Sequence, residues 1–342
     1  MRVSDFDYYL PEELIAQAPL PERDASRMLV LDRRTQTWTD SSFHSFTNYL
    51  KPADVVVINN TRVIPARLIG QRRASGGRVE VFLVRRLADD DWEALVRPGS
   101  RLKLGAIVDF GEQLSAEILD DPGPELRQVR FNCQGSFDEL LARVGSTPLP
   151  PYIKRPESSD EDRERYQTVY AREPGAIAAP TAGLHFTTGV LANIRRSCTV
   201  AEITLHVGYG TFEPVRVDEI EQHLVSREHF EIDSEAARVI NLARQRGGRI
   251  IAIGTTTVRA LESASDDRGE VMAQVGESAL TIIPGHRFQA VDVLLTNFHL
   301  PRSSLLLLVS AFAGKDLVLG TYKHAVDQRY RFYSYGDCML IL

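Results

Sequence analysis

The sequence predicts an α/β protein, with a mainly parallel sheet and flanking helices into which a small β-barrel domain is inserted. Three observations lead there. Asp54-Val-Val-Val-Ile-Asn-Asn carries four consecutive β-branched residues and reads as a strand buried on both faces. From about Ala176 onward, strand and helix patterns alternate, and right-handed crossovers turn such alternation into a parallel sheet. Between these parts, from Arg62 to about Gly145, the runs are short and broken by Gly, Pro and Asp, as in a small barrel or sandwich. The expected division is residues 1–61 and 146–342 for a discontinuous α/β domain, and 62–145 for the inserted barrel.

Within the first part, Pro11-Glu-Glu-Leu-Ile-Ala-Gln reads as a helical turn with proline at an early position, and Arg27–Asp32 as a strand. The strand after Asp54 ends in Asn59-Asn60-Thr61-Arg62, which fits a turn or the wall of a site. The expected barrel runs are Ala66–Ile69, Arg78–Arg86, Trp92–Val96, Ile107–Phe110, Leu114–Leu119 and Gln128–Asn132. Their first part is basic: Arg62, Arg67, Arg72, Arg73, Arg78, Arg85 and Arg86 face only Glu80 in that window. This is either a solvated strand face or an RNA-backbone surface, with Arg67, Arg72, Arg73 and Arg78 as the candidate contacts. Phe137–Val144 reads as a helix. Thr147-Pro-Leu-Pro-Pro-Tyr-Ile follows as a stiff extended crossing, and 156–165 as a charged lid or linker.

In the last part, Thr188 opens a helix to about Arg196, and Val200–Val207 is a strand. Asp233 or Ser234 caps a helix through Arg246, closed by Gly247-Gly248. A strand from Arg249 runs into Gly254, then Thr255-Thr256-Thr257 and a helix over Val258–Ser263. Strand, glycine, hydroxyls and helix form an anion nest, although neither the P-loop lysine nor a dinucleotide fingerprint is present. The remaining elements are a strand at Asp292–Asn297, a helix from Ser303 to Phe312 ending at Gly314, a helix from about Gly320 to Arg329, and a strand at Cys338–Leu342.

Bulk properties narrow the function. The 342 residues, 43% hydrophobic and 25% charged, fit a soluble globular chain of about two domains. A net charge of −6 argues against a globally basic nucleic-acid binder and leaves a local basic patch open. Cys133, Cys198 and Cys338 are too far apart for a zinc motif or disulfide framework, and they fit a reducing cytoplasm. The start has no apolar signal segment, and Ser303–Phe312, the most apolar run, is too short for a bilayer. A cytoplasmic monomer without membrane contact is expected.

Polar residues gather at the predicted strand ends. Gly175–Val215 is the centre, carrying His185, His206 and Glu213 around the turns Pro180-Thr-Ala-Gly and Gly208-Tyr-Gly-Thr. Asn60, Arg62, Thr181, Thr255, Thr256, Arg259, Asn297, His299, Tyr335 and Asp337 end other predicted strands. Each alone also fits a structural role; their convergence marks a site. His223, His229 and Glu228 imitate metal ligands but match no tight motif, so no metal is expected. There is no G-x-S-x-G nucleophile elbow.

At these residues the chain resembles the S-adenosylmethionine:tRNA ribosyltransferase-isomerase family of queuosine biosynthesis. The resemblance is carried by Val57-Ile-Asn-Asn-Thr-Arg-Val-Ile-Pro-Ala-Arg-Leu, Pro148-Leu-Pro-Pro-Tyr-Ile, Tyr166-Gln-Thr-Val-Tyr and Ala179-Pro-Thr-Ala-Gly-Leu-His-Phe. Leu205-His-Val-Gly-Tyr-Gly-Thr-Phe-Glu-Pro-Val, Ile253-Gly-Thr-Thr-Thr-Val-Arg-Ala-Leu-Glu-Ser and Thr296-Asn-Phe-His-Leu-Pro extend it. It runs essentially end to end, and only about Ala88 to Gln134 matches in character alone. The resemblance implies an α/β domain with an inserted barrel. It also implies transfer and isomerisation of the ribosyl part of S-adenosylmethionine onto 7-aminomethyl-7-deazaguanine at the tRNA wobble position. The products are epoxyqueuosine-tRNA, adenine and methionine. S-adenosylmethionine is then a consumed cosubstrate, and no metal or redox cofactor is required.

That chemistry needs a base at C5′, which the sulfonium acidifies, and a neutral His or suitable carboxylate serves. The expectation makes His185 or His206 the base, oriented by Glu213 or Asp337. Arg259 and the Thr255–Thr257 turn would hold the methionine carboxylate, and His299 and Asn297 the ribose or adenine. Two other classes stay open on the residues alone: a methyltransferase using the same cosubstrate, and a non-catalytic tRNA-binding module built on the arginine-rich strands.

Overall fold

The computed structural model describes residues 1–99, 102–111, 113–120, 126–155, 160–212 and 215–342. Strands β1 (Arg27–Asp32), β2 (Thr37–Ser42) and β3 (Val55–Asn59) enter the large sheet, and β4 (Thr61–Val63) leaves it. The barrel strands are β5 (Arg67–Arg72), β6 (Arg78–Arg86), β7 (Asp91–Arg97), β8 (Ile107–Gly111), β9 (Leu114–Asp120) and β10 (Leu126–Cys133). Helices α1 (Phe137–Val144) and α2 (Asp160–Arg165) lead to β11 (Glu173–Ala176), α3 (Thr188–Ser197), β12 (Thr199–Leu205) and β13 (Glu228–Ile232). Then come α4 (Ser234–Gln245), β14 (Ile250–Ile253), α5 (Thr255–Ser263), β15 (Gln274–Ser278), β16 (Val293–Asn297), α6 (Ser304–Ala313), α7 (Lys315–Asp327) and β17 (Cys338–Ile341).

The nine-stranded sheet has the order β15-β13-β12-β3-β14-β16-β17-β1-β2. Its central run β12-β3-β14-β16 is parallel throughout, as the alternation of strand and helix requires. Toward the edges the ladders turn antiparallel, apart from β1 with β17. The connections explain this. A single helix returns the chain to the start of the sheet, but α6 and α7 bend by 115° on each other and bring it back to the end it left. β17 therefore runs against β16. Among the described residues between β12 and β13 there is no α-helix, only loop and short 3₁₀ turns, and the pair closes antiparallel.

The β3 strand shows why its sequence is apolar throughout. Val55 and Val57 enter one core with Ile250 and Ala252, while Val56 and Ile58 enter the opposite core with Ile251 and Ile253. The barrel closes in the order β10-β7-β6-β5-β8-β9, which leaves no sheet edge. Its strands alternate: Val79, Val81 and Leu83 point inward from β6, Ala94 and Val96 from β7, and Ala116 and Ile118 from β9. Helix α1 plugs the interior, with Phe137 against Phe131 at 4.8 Å between centroids.

Several expectations shift. The Pro11 segment forms only a 3₁₀ turn at Glu12–Leu14. Ala176–Ala179 is not a strand; Glu173–Ala176 pairs with β4 in a separate two-stranded ladder. Helix α7 begins at Lys315, directly after Gly314, not near Gly320. Strands β2, β13 and β15 escape the apolar pattern because they lie on or near the sheet margins and keep exposed faces. No single helix among the described residues is long and apolar enough to cross a membrane.

Candidate active site

The carboxyl ends of β3, β12, β14 and β16 meet at one polar centre. Asn59 ties three of them together. Its Nδ2 donates to Leu205 O at 2.9 Å and to Thr256 Oγ1 at 3.3 Å, and its Oδ1 accepts from Thr61 N and Leu205 N. Helix α5 starts at this point. Four other helices carry side-chain caps: Ser136 on α1, Thr187 on α3, Asp233 on α4 and Ser303 on α6. Helix α5 has Gly254 instead, at φ 91°, with no side-chain cap. That backbone conformation is strained for any residue with a Cβ, and it leaves the first helical N–H groups uncovered.

Two cavities open at this centre. The smaller, about 40 Å³, is lined by Thr181, Thr255, Thr256, Asn297 and His299 among others. His299 is buried, with Nε2 against Thr296 Oγ1 at 2.8 Å, and burial pushes its pKa down to about 3. The larger is a cleft of about 990 Å³ between the barrel and the sheet, with Arg62, Trp92, His206, Tyr209 and His229 on its walls. Val207 lines both.

His206 is half-buried in the cleft wall. Its Nδ1 lies 2.8 Å from Thr61 Oγ1, and its ring stacks on that of exposed His229, centroids 5.8 Å apart. Gly175 makes room for it, since a Cβ there would come within 2.8 Å of Nε2. Burial first, then the neighbouring His229, lowers the His206 pKa to about 4, with Glu173 opposing. The imidazole is therefore neutral at pH 7, and in the tautomer whose Nδ1–H donates to Thr61 Oγ1 its Nε2 is able to receive a proton.

A family model described as queuosine biosynthesis protein matches residues 3–341. The chain belongs to this family. Among its relatives is the S-adenosylmethionine:tRNA ribosyltransferase-isomerase of Pelotomaculum thermopropionicum, 51% identical with 100% of both chains covered. The protein of that name from Caldanaerobacter subterraneus subsp. tengcongensis is 50% identical, again with 100% of both covered. A crystal structure of S-adenosylmethionine tRNA ribosyltransferase from Thermotoga maritima is 39% identical and has a TM-score of 0.57. It covers 99% of this chain and 100% of that chain.

In this member of the queuosine biosynthesis family, the residues expected at the site divide. Arg62 and His206 face the cleft, and Thr181, Thr255, Thr256, Asn297 and His299 face the small pocket. His185 faces neither. It is buried with Nδ1 at 2.8 Å from Ser26 Oγ and Nε2 at 3.2 Å from Asn297 Nδ2. Burial lowers its pKa to about 3, and the separate small pocket it does border is walled by Ser26 and Tyr335 rather than by the cleft residues. Asp337 orients neither histidine, because its carboxylate accepts the backbone N–H groups of Arg27 and Arg331. Asn60 accepts from Thr204 Oγ1 at 2.8 Å, and Tyr335 packs edge-on against Tyr166; neither lines the two cavities. Arg259 is already engaged by the Glu228 carboxylate and by the carbonyls of Leu280, Ser226 and Ser278, which leaves little of its fork for a ligand carboxylate. Glu213 lies outside the described residues.

The barrel arginines also change meaning. Arg67 pairs with Glu80 at 2.9 Å and Arg73 bidentately with Asp109. Arg85 pairs with Glu93. Arg72 packs its guanidinium against Gly77, and Arg78 is exposed. Glu80 stands inside the window, but Asp109 and Glu93 come from neighbouring strands beyond it, which a count along one stretch of sequence does not include. Sequence reasoning missed Thr61 and Ser26 as histidine partners, and Glu228 as the partner of Arg259. It grouped His223 with Glu228 and His229, but His223 bonds Ser304 at 2.6 Å, and no metal-binding cluster occurs among the described residues.

Proposed function

We propose that this chain is an S-adenosylmethionine:tRNA ribosyltransferase-isomerase. It transfers and isomerises the ribosyl moiety of S-adenosylmethionine onto 7-aminomethyl-7-deazaguanine at the tRNA wobble position, giving epoxyqueuosine-tRNA, adenine and methionine. Its full-length kinship with proteins of that name supports the reaction. The geometric observation that carries it is that a small pocket and a large cleft with His206 on its wall lie on either side of Val207, which lines both. In this reading the cosubstrate passes Val207, and its ribose reaches His206.

Nε2 of His206 removes the C5′ proton made acidic by the sulfonium. With Nδ1–H donated to Thr61 Oγ1, the nitrogen left to accept is Nε2. Adenine leaves as the ribose opens, assisted by a proton or hydrogen bond, and exposed His229 beside His206 is the group placed to exchange protons with solvent. Ring opening leaves a C4′=C5′ vinyl sulfonium and, once adenine has gone, a C1′ aldehyde. The unprotonated aminomethyl nitrogen adds to C4′, the C5′ carbanion so formed closes on C1′, and the resulting alkoxide displaces methionine from C5′ to give the epoxide. The proposal includes a cytoplasmic monomer with no resident cofactor, and it keeps the division into residues 1–61 with 146–342 and an inserted 62–145.

The wobble base enters between barrel and sheet. Tyr209, partly exposed, lines that cleft and offers an aromatic face suited to an unstacked base, whereas Trp92 at the same wall is 5% exposed and belongs to the barrel core. Of the cleft arginines, Arg85, Arg86 and Arg227 face Glu93, Asp138 and Glu277. Arg62 is exposed on β4 with no acidic partner among the described residues. Arg62→Glu should weaken tRNA binding and reduce the slope of log affinity against log salt by about one or more. Filter binding across a salt series checks this.

The deciding experiment mixes the protein with S-adenosylmethionine and tRNA bearing the aminomethyl-deazaguanine base. Adenine and methionine should appear in step with a heavier tRNA. S-adenosylhomocysteine in their place would move the chain to the methyltransferases, and bound tRNA with no cosubstrate consumed would leave a binding module.

A further inference from the structure

We propose that the small pocket at the start of α5 is the subsite for the α-amino-carboxylate head of the cosubstrate, with the carboxylate on the first N–H groups of α5 and the ammonium on Asn297 Oδ1. The inference rests on the function proposed above and reassigns Asn297 from ribose or adenine to the amino acid.

Two independent features point to a ligand. The first is the uncovered helix end: the N–H groups of Thr255, Thr256 and Thr257 have no backbone carbonyl partner among the described residues, and Gly254 supplies no cap. Such an end favours an anion through its N–H groups and its dipole. The second is Asn297, only 2% exposed. Its Nδ2 donates to Tyr333 O at 3.1 Å and Asp337 O at 3.4 Å and faces His185 Nε2. These contacts fix which way the amide points. Its Oδ1 is then a buried acceptor with no partner, on the wall of the same pocket as Thr255 and Thr256. A buried carbonyl oxygen without a donor is rare enough to require an explanation.

Size and charge choose the occupant. About 40 Å³ is room for a few waters, a scale that suits a compact polar head better than an adenine. The pocket's histidine, His299, is neutral, as is His185 behind Asn297, so the wall offers partial positive charge at the helix and partial negative charge at the amide. A zwitterion uses both. A sugar hydroxyl would leave the helix end unanswered. Val207 lines both this pocket and the cleft, so a cosubstrate held here by its head and passing Val207 would reach the cleft beside His206.

The test is calorimetric binding of three probes to the full chain: S-adenosylmethionine, its deaminated analogue that keeps the carboxylate, and its decarboxylated analogue that keeps the amine. For the wild type, each analogue should bind about tenfold or more weakly than the parent, the scale of one hydrogen bond to a charged group. Asn297→Ala should weaken the parent and the decarboxylated analogue but not the deaminated one. Thr255→Pro removes one N–H at the first helical position, where proline is tolerated. It should weaken the parent and the deaminated analogue but not the decarboxylated one. Equal wild-type affinity for all three probes overturns the subsite, as does an equal loss of all three in Asn297→Ala, which would mark a packing role. If Asn297→Ala does not fold, the wild-type series and Thr255→Pro still decide. Adenine release by the wild type separates the two readings: release with unselective probe binding sinks the subsite alone, and its absence sinks the reaction.

Discussion

His206→Gln is expected to lower turnover by about 10²- to 10⁴-fold, the usual contribution of a positioned general base, with the thermal transition little changed. The ring stands half-exposed at the cleft, and its orienting partner Thr61 belongs to β4. The contrasting substitution is His185→Ala. That ring is enclosed by Ser26, Asn297 and Phe43, and its loss leaves buried polar groups unpaired at a cost of about 1–3 kcal/mol. It should lower the melting temperature while the folded fraction still releases adenine. Near-normal release by His206→Gln would remove it as the base.

The pH profile gives the same residue a second readout. An ordinary imidazole titrates near 6.5, whereas burial and His229 hold His206 at about 4. A base must be unprotonated, so its acid limb in kcat/KM should lie near pH 4, well below the usual histidine position. His229→Gln removes one of the two lowering influences while Glu173, which raises the value, stays; the limb should move upward. Stability follows the same sign. The unfolded histidine binds its proton at a higher pH than the folded one, so acid favours unfolding. Stability is complete above about pH 6.5 and falls as the pH drops toward 4. His185 and His299, both lowered to about 3 by burial, act in the same direction.

Most of the fold is legible in the sequence because its signals are local. Val55–Ile58 are apolar because both faces of β3 are covered, and the barrel strands alternate because only their inner faces are. The margins are harder to read: β2 is exposed and polar, and only its ladder with β1 makes it a strand. For the site, residue type and strand-end position select a neighbourhood, but they do not say which way a side chain faces. His185 and His206 look equivalent in sequence. What distinguishes them is Ser26 and Asn297 enclosing one, and Gly175 and the cleft leaving the other open. The partners lie far along the chain, and only the folded topology brings them together. The same holds for Arg73, whose charge is answered by Asp109 on another strand.

Arg259→Met is expected to destabilise the protein by about 3–5 kcal/mol, because it leaves the Glu228 carboxylate buried without its cation. Both groups are nearly sealed from solvent. The pair also has a mechanical role. Glu228 Oε1 accepts from Gly208 N at 2.8 Å, which anchors the loop carrying Tyr209, and Tyr209 meets Phe82 of the barrel edge-on at 5.7 Å. Arg259 lies on α5, whose N-terminus forms the small pocket. One ion pair therefore joins the helix at the proposed cosubstrate head to the loop at the barrel. Glu228→Gln keeps the shape and removes the charge; it should raise KM for tRNA more than KM for S-adenosylmethionine, since the tie it loosens is the one to the barrel. Chemical denaturation of Arg259→Met, Glu228→Gln and the double variant completes the test. If the pair acts as a unit, the double variant will be less destabilised than the sum of the singles, by a coupling of about 0.5–3 kcal/mol. Strict additivity would mean that Arg259 and Glu228 are held independently by their backbone partners, and that the loop is fixed by something other than this contact.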